Sequence, residues 1–450
     1  MRVVAQLDMD IRAPEDPLRG PELGGLVERL DCYRMCDVDL RLYAGLVITG
    51  TVDQEFLAGN RQIIHEYLDS GGVVVFGGHL HRDWLPGSSP FVPLEGAKLR
   101  DYQVVEVADH PVFAGVDPAD LTFRRGVAGF FARGHHPPPE GAQVLTRLFN
   151  GRPSTYLDQV STPGTILVQS TCDLLGYATG LKSSASRIPR QLVRWILNQS
   201  EEVRRRGPVA AGTVAGHSPR WPEPPKPASG YGVAAVYGGS AAHYRALTKD
   251  KYAERLDGGL IYLPELADAD LTPYEVLLIP ERLHRGLLEK AAPRIFELLD
   301  AGGTVVCFAG GEPIPEFLPG VRWEHVPTNY WWWLDKDSSL GLRSPSPSHS
   351  LFDYLQLADC TWHYHGVLDP PPGAEVLVTL PGGEALLYVD RNSTAGTLVV
   401  STLDPLSHYG SYFMPATERF LDGFLPWLTH SFSRTTSSGP PTVQAPGPAG

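Results

Sequence analysis

The chain carries one long pattern twice, and that repetition constrains its fold more than any other feature. From Leu68 to Gly87 it reads LDSGGVVVFGGHLHRDWLPG, and from Leu299 to Gly320 it reads LDAGGTVVCFAGGEPIPEFLPG. Upstream, DVDLRLYAGLVITG (37–50) is matched by DADLTPYEVLLIP (268–280). Downstream, EGAQVLTRL (140–148) is matched by PGAEVLVTL (372–380), and STPGTILVQSTCDLLGY (161–177) by STAGTLVVSTLDPLSHY (393–409). RQLVRWIL (190–197) answers ERFLDGFLPWL (418–428). The offset drifts only between the Gly-rich turn and GAQVL, where the halves have diverged most. A period this long is a duplicated domain, not a solenoid repeat of 20–50 residues.

Each copy reads as the same series of elements. VVAQL and VAAVY open as short apolar strands, and GLVIT and VLLI are strands as well. IIHEYL and IFELL have helical spacing and end at Gly-Gly, a left-handed C-cap. VVVF and TVVCF are continuous β-branched runs of the kind buried on both faces of a parallel sheet. GTILVQST and GTLVVST are later strands, each followed by a polar loop and a final amphipathic helix. Strand, helix and strand in right-handed succession predict two tandem doubly wound α/β domains with three layers each, Rossmann-like or flavodoxin-like. The expected boundaries are 1–203 for the first domain, 204–230 for a linker rich in Pro, Gly and Ala, 231–434 for the second domain, and 435–450 for a disordered tail. A chain of 450 residues suits two or three domains.

Composition excludes several classes. The net charge of −13 argues against a general nucleic-acid binder, because phosphate neutralisation needs clustered Lys and Arg. The RRR at 204–206 is too short and isolated to change that. No apolar run is long enough to span a bilayer. The opening MRVVAQLDMDIRAPED has no basic region leading into an apolar one, so a cytoplasmic protein without a membrane is expected. The five cysteines, Cys32, Cys36, Cys172, Cys307 and Cys360, are odd in number and scattered, which is no disulfide framework.

Ligands of open parallel sheets collect at the carboxyl ends of the strands, so the turns after VVVF and TVVCF are the first places to look for chemistry. A helix closed by Gly-Gly, a strand and a Gly-rich turn resembles the class I glutamine amidotransferase-like superfamily. The branch it is most similar to contains ThuA-like proteins and the β-galactosidase trimerisation domain. GGVVVFGGHLH (71–81) with DHPVFAG (109–115) carries the resemblance in the first half, and GGTVVCFAGG (302–311) with SHSLF (348–352) in the second. The resemblance implies a Cys nucleophile at the turn, activated by a His that a Glu orients in an H-x-E motif. Here the turn positions are Gly78 or His79 and Gly311 or Glu312, Cys307 falls about four residues early, and no H-x-E occurs. The expectation is an elbow without its nucleophile.

Other residues are candidates by type and spacing. At the turns, Gly77, Gly78, His79, His81, Gly310, Gly311 and Glu312, with His110 after a later strand, are candidate ligand-binding residues. His79, His81 and His110 near one strand edge have the donor chemistry of a metal site. TWHYHG (361–366) puts His363 and His365 on one face of an expected strand, with His349 and His408 as residues able to approach from neighbouring strand ends. The metal candidates are therefore His79, His81, His363 and His365. In NYWWWLD (329–335), Trp331, Trp332 and Trp333 cannot all point inward, which marks an interaction surface or a sugar platform. STCD (170–173) and STLD (401–404) read as helix caps in both halves.

Two readings follow. One is a non-catalytic scaffold, a pseudoenzyme with a protein partner or self-association and no cofactor. The other is a ThuA-like protein that acts on or binds carbohydrate, with its site at the first elbow. Missing nucleophiles favour the first. Duplicated domains often reproduce the two-fold contact of an ancestral dimer, so the halves are expected to pack on each other.

Overall fold

A computed structural model describes residues 2–12, 18, 23–123, 132–170, 173–178, 183–205, 232–253, 255–256, 259–326, 337–412 and 414–432. The expected linker 204–230, apart from its first two residues, and the tail 435–450 lie outside these residues, as do Trp331, Trp332 and Trp333. In the first half the strands are β1 (Val4–Asp8), β2 (Val27–Asp31), β3 (Gly45–Thr49), β4 (Val73–Gly77), β5 (Val92–Pro93), β6 (Val104–Val107), β7 (Gly134–His135), β8 (Gln143–Leu148), β9 (Pro153–Asp158) and β10 (Thr165–Gln169). The second half has β11 (Val233–Tyr237), β12 (Leu260–Tyr262), β13 (Val276–Ile279), β14 (Thr304–Phe308), β15 (Trp323–His325), β16 (Gly366–Leu368), β17 (Glu375–Thr379), β18 (Ala385–Asp390) and β19 (Thr397–Ser401). The helices are α1 (Gln54–Gly59), α2 (Arg61–Asp69), α3 (Pro118–Thr122), α4 (Ile188–Arg205), α5 (Ala241–Thr248), α6 (Asp250–Ala253), α7 (Arg285–Asp300), α8 (Pro405–Gly410) and α9 (Pro415–Phe432).

Two large sheets result, so the chain is α/β. One runs β2-β1-β3-β4-β10-β9-β8-β6; the other runs β12-β11-β13-β14-β19-β18-β16-β15, with β17 also on β18. In each, the first five strands are parallel and the rest antiparallel. The sheets are thus mixed, which the sequence reading did not anticipate. GAQVL and GAEVL enter as antiparallel strands because short connections, not crossover helices, join them to their neighbours.

The apolar runs explain the centre of each sheet. β4 and β14 are buried at every position, and each sheet lies between two apolar clusters. Each large side chain so enclosed contributes roughly 1.5–3 kcal/mol. The helices preceding these strands end alike. Gly71 N–H bonds Leu68 O and Gly72 N–H bonds Tyr67 O; Gly302 N–H bonds Leu299 O and Gly303 N–H bonds Leu298 O. Both Gly71 and Gly302 sit at φ +86°. This paired bonding satisfies the last helical carbonyls and turns the chain directly into the central strand.

The two halves pack about a pseudo-two-fold relation. Strand register equates Asp31 with Tyr262, Asp8 with Tyr237 and, through the caps of α1 and α7, Asp53 with His284. The contacts across the seam exchange these equivalents. Tyr262 Oη donates to Asp53, and His284 Nε2 lies 3.4 Å from Asp31 Oδ2. Tyr237 Oη donates to Glu55 Oε1 at 2.6 Å, Gly286 N–H to Asp10 Oδ2 at 3.0 Å, and Gln54 N–H to Gly239 O at 3.0 Å. This is the isologous pattern of a homodimer carried within one chain.

Candidate functional site

The seam brings the carboxyl ends of the parallel strands of both sheets towards one another. Between them lies a cavity of about 210 Å³, lined by Thr49, Thr51, Gly78 and His79 from the first half and by Ser240, Arg282, Ser407 and His408 from the second.

In the first half, Gln54 organises the turn after β4. It is fully buried, its Nε2 donates to His79 O at 2.7 Å, and its Oε1 accepts from His81 N–H at 3.0 Å and Trp84 Nε1 at 3.2 Å. The three histidines of this half diverge. His79 stacks on Phe91 at 3.6 Å and faces the cavity. His81 stacks on Tyr244 of the other half at 4.5 Å, with Nε2 3.9 Å from Glu55 Oε1. His110 caps the turn Pro111–Phe113 through Nδ1 and rests its ring on Trp195 of α4. Burial pushes His79 down to about 3 and lowers His81 and His110. Burial opposes the ionisation of Glu55, but hydrogen bonds from His81, Arg82 and Tyr237 hold it down to about 2.

At the second turn the candidates converge. Gly310 has no room for a side chain: a Cβ there would meet Asp404 Cβ at 2.9 Å and Glu281 Cγ at 3.0 Å. Gly311, at φ +96°, has the His365 ring 3.4 Å from its own Cβ position. Glu312 Oε1 accepts the Arg282 N–H at 2.5 Å. Residues 361–365 are irregular, not the expected strand, which begins only at Gly366. His363 and His365 still meet, their rings perpendicular and 4.9 Å apart. Their shared neighbour is Asp404, fully buried at the end of the β19 turn. His365 Nε2 lies 3.3 Å from Asp404 Oδ2, His363 Nε2 4.0 Å from Oδ1, His408 Nδ1 2.9 Å from Oδ2, and Arg282 Nη2 3.4 Å from Oδ2. Trp362 Nε1 donates to Oδ1 at 3.3 Å.

Electrostatics follow from burial and these neighbours. Burial alone would raise Asp404, but the His408 and His365 imidazoles hold its carboxyl well below the usual range. Burial and the Asp404 charge push Glu281 up to about 8, and burial raises Glu312. His363 is held well below 6.5 by burial, with a contribution from His408. The second oxygens of Glu281 and Glu312 are buried and have no hydrogen-bond partner among the described residues.

Sequence reasoning named His363, His365 and the Gly310–Glu312 turn as separate candidates, and the structure joins them. His408 approaches as anticipated, whereas His349 caps the turn at Leu351 and packs on Trp427. Asp404, Arg282 and Glu281 were missed. The Ser-Thr-x-Asp pattern reads Asp404 as a helix cap like Asp173. Asp173 does cap, accepting Leu175 N–H at 2.9 Å, but the Asp404 side chain makes no capping bond. Gly77 belongs to β4 itself, and Cys307 lies inside β14 with its thiol pushed up to about 12 by burial.

No family model matches the chain, and no curated protein matches it. Among solved structures it is similar to the mmIFT52 N-terminal domain at 14% identity, over 43% of this chain and 97% of that one, with a TM-score of 0.28. It is also similar to the exo-β-1,4-mannosidase Op5Man5 from Opitutaceae bacterium strain TAV5, at 10% identity, over 55% and 40%, TM-score 0.26. A third is the β-galactosidase from the psychrophilic Marinomonas ef1, at 11% identity, over 58% and 36%, TM-score 0.25. The chain spans less than half the length of either glycosidase. No helix among the described residues is long and apolar enough to cross a membrane.

Proposed function

We propose that this chain is a non-catalytic binding protein, two amidotransferase-like α/β units fused into a fixed framework for assembly with a protein partner. The parallel strand order of both sheets, second-first-third-fourth-fifth, supports a flavodoxin-like ancestry for each unit.

The observation that carries the reading lies at the two turns. The residues on their crests are Gly78 and His79 in one half and Gly311 and Glu312 in the other. The nearby thiol, Cys307, is 1% exposed within its strand and far from its reactive thiolate form at neutral pH. The two halves are tied together beside these turns by the hydrogen bonds of Tyr237 to Glu55, Tyr262 to Asp53 and Gly286 to Asp10.

The test is amide turnover together with thiol trapping. The native chain should release no ammonia from glutamine, and a glutamine-like electrophile should leave Cys307 unlabelled until denaturant is added. Turnover that disappears in Cys307→Ala would overturn the reading. The partner arm uses Trp331, Trp332 and Trp333: replacing all three by Ala should abolish partner binding.

A further inference from the structure

Five groups of three chemistries meet at Asp404: two imidazoles from the 361–365 segment, a third imidazole from α8, a guanidinium from the β13 turn, and an indole N–H. His363 and Asp404 are 4% and 0% exposed. Charges and donors are not placed together in a protein interior without a compensating partner, because each loses its hydration. Two further buried carboxyls adjoin the group. Glu281 shares the Gly310 contact with Asp404, and Glu312 lies within electrostatic reach of His365. Three carboxyls thus stand near Arg282, the guanidinium that reaches Asp404, and one oxygen on each of Glu281 and Glu312 lacks a hydrogen-bond partner among the described residues. The unpartnered carboxyl oxygens and the imidazole nitrogens are lone-pair donors, the chemistry that a metal cation takes up.

The donors are close enough together to hold one ion. One ligand atom each from His363, His365 and Asp404 lie within 4.8 Å of one another. Bonds of about 2.0–2.1 Å to a tetrahedral ion place its ligands roughly 3.3 Å apart. His365 Nε2 already stands 3.3 Å from Asp404 Oδ2, whereas the 4.0 Å from His363 Nε2 is to the other oxygen, Oδ1, so the carboxylate must turn one oxygen toward both imidazoles or bind through both oxygens. The outer contacts also fit. His408 and Trp362 hold the two oxygens of Asp404, as the groups around a ligating carboxylate commonly do.

We propose that His363, His365 and Asp404 bind a divalent transition-metal ion of the zinc type, with His408 and Trp362 fixing the carboxylate. Two imidazoles and one carboxylate suit zinc better than calcium or magnesium, which take oxygen ligands. Three protein ligands leave one tetrahedral position for water or an oxygen of a small anionic ligand. Arg282 and His408 touch Asp404 and also line the 210 Å³ cavity, so the ion would lie one residue behind that wall. The site lies in the second half, away from the first elbow, and does not depend on whether the chain is a scaffold.

The experiment uses the full chain, stripped with a chelator and checked for folding by circular dichroism. Zn²⁺ alone is titrated against a chromophoric chelator, and Co²⁺ alone is followed by its visible absorption. One equivalent per chain should bind, Co²⁺ should give the intense bands of four-coordinate N/O ligation, and added Zn²⁺ should raise Tm. His365→Gln should weaken binding at least 100-fold and His408→Gln about 10–100-fold, whereas His349→Gln should leave it unchanged. A folded wild-type chain that takes up neither ion at micromolar concentration would overturn the proposal. So would binding that persists in folded His365→Gln. Because wild-type uptake is decisive by itself, a variant that fails to fold leaves the test intact.

Discussion

The Tyr262 hydroxyl, at the end of β12, donates to the Asp53 carboxylate, which caps α1 in the opposite half through the Glu55 and Phe56 amides. Its pseudo-symmetric counterpart is the contact of His284 with Asp31. The two differ in burial: Asp53 is fully enclosed, whereas the Asp31 side chain is 37% exposed. Ancestral symmetry has therefore become energetic asymmetry, and the enclosed pair should dominate the seam.

Tyr262→Phe should accordingly cost about 1–3 kcal/mol, the usual effect of removing a donor from a buried charged acceptor. Asp31→Asn, which keeps the acceptor for the Tyr33 amide, should cost less than about 1 kcal/mol, since the contact with His284 is open to water. Denaturant unfolding measures both. The coupling of Tyr262→Phe with Asp53→Asn in a double-mutant cycle assigns the loss to the pair. Equal small effects would mean that the seam does not rest on Asp53.

Acid should destabilise the chain through its buried histidines. His79 is held near 3 and His243 near 4, each mainly by burial, against about 6.5 when unfolded. Between pH 6.5 and 4 the unfolded chain binds more protons, so the stability these groups give above 6.5 is lost as pH falls. The limiting contributions are about 5 and 3 kcal/mol at about 1.4 kcal/mol per pH unit. Asp53 and Glu281 act in the opposite sense. Burial raises Asp53 to about 6, and burial with the Asp404 charge raises Glu281 to about 8, so their contributions are present below about 4 and fade as pH rises through 6 and 8, offsetting up to about 3 and 5 kcal/mol. The opposed contributions are similar in size, so the test is the variant against the parent: His79→Gln, which removes one acid-labile group, should make the chain more stable at pH 4 relative to pH 7.5 than the parent is. Identical pH profiles of Tm for the two chains would refute the role of His79.

How much of this was legible in sequence depends on the range of the interaction. Gly71 and Gly302 announce their helix ends because the cap is local, and VVVF announces a central strand because burial on both faces leaves no alternation. His363 and His365 show their shared side by spacing alone, even though the segment is not a strand. Asp404 could not be told from Asp173, since both end a Ser-Thr-x-Asp turn. What separates them is His365, His408 and Arg282, each brought in by the fold. His110 was grouped with His79 and His81 by proximity in sequence, but the DHPVFAG turn runs beneath α4 and seats it on Trp195. The antiparallel pairing is not legible because direction is set by the fold: β9 and β18 are six-residue strands buried almost throughout, as parallel strands are, and the outer β6 and β15 are part-exposed.

Gln54 should be among the costliest polar residues to replace. Its amide serves His79 O, His81 N–H and Trp84 Nε1 at once, all in a place water does not reach. Gln54→Leu keeps most of the volume but leaves these three groups unsatisfied, at about 1–3 kcal/mol each when no partner replaces the amide. A loss of at least 3 kcal/mol by denaturation is expected, with faster hydrogen exchange at the His81 amide. A neutral substitution would show that the turn is held by its stacking on Phe91 and Tyr244 instead.

Two glycines separate conformational from steric necessity. Gly302 needs a positive φ but has open space around its Cβ position, so Gly302→Ala should cost only the left-handed strain of about 1–2 kcal/mol. Gly78 is the reverse case. A Cβ there would meet Gly50 Cα at 2.4 Å and Gly50 N at 3.1 Å, backbone atoms that cannot rotate away. Gly50 and Gly78 both line the cavity, so Gly78→Ala must spread the β3 and β4 turns, at about 3 kcal/mol or more. Spreading those turns also displaces His79 from Phe91, which should speed hydrogen exchange at the turn; Gly302→Ala should not. Comparable losses in the two variants, or an unchanged turn in Gly78→Ala, would mean that the cavity wall yields to a methyl group and that its glycines are not required by close packing.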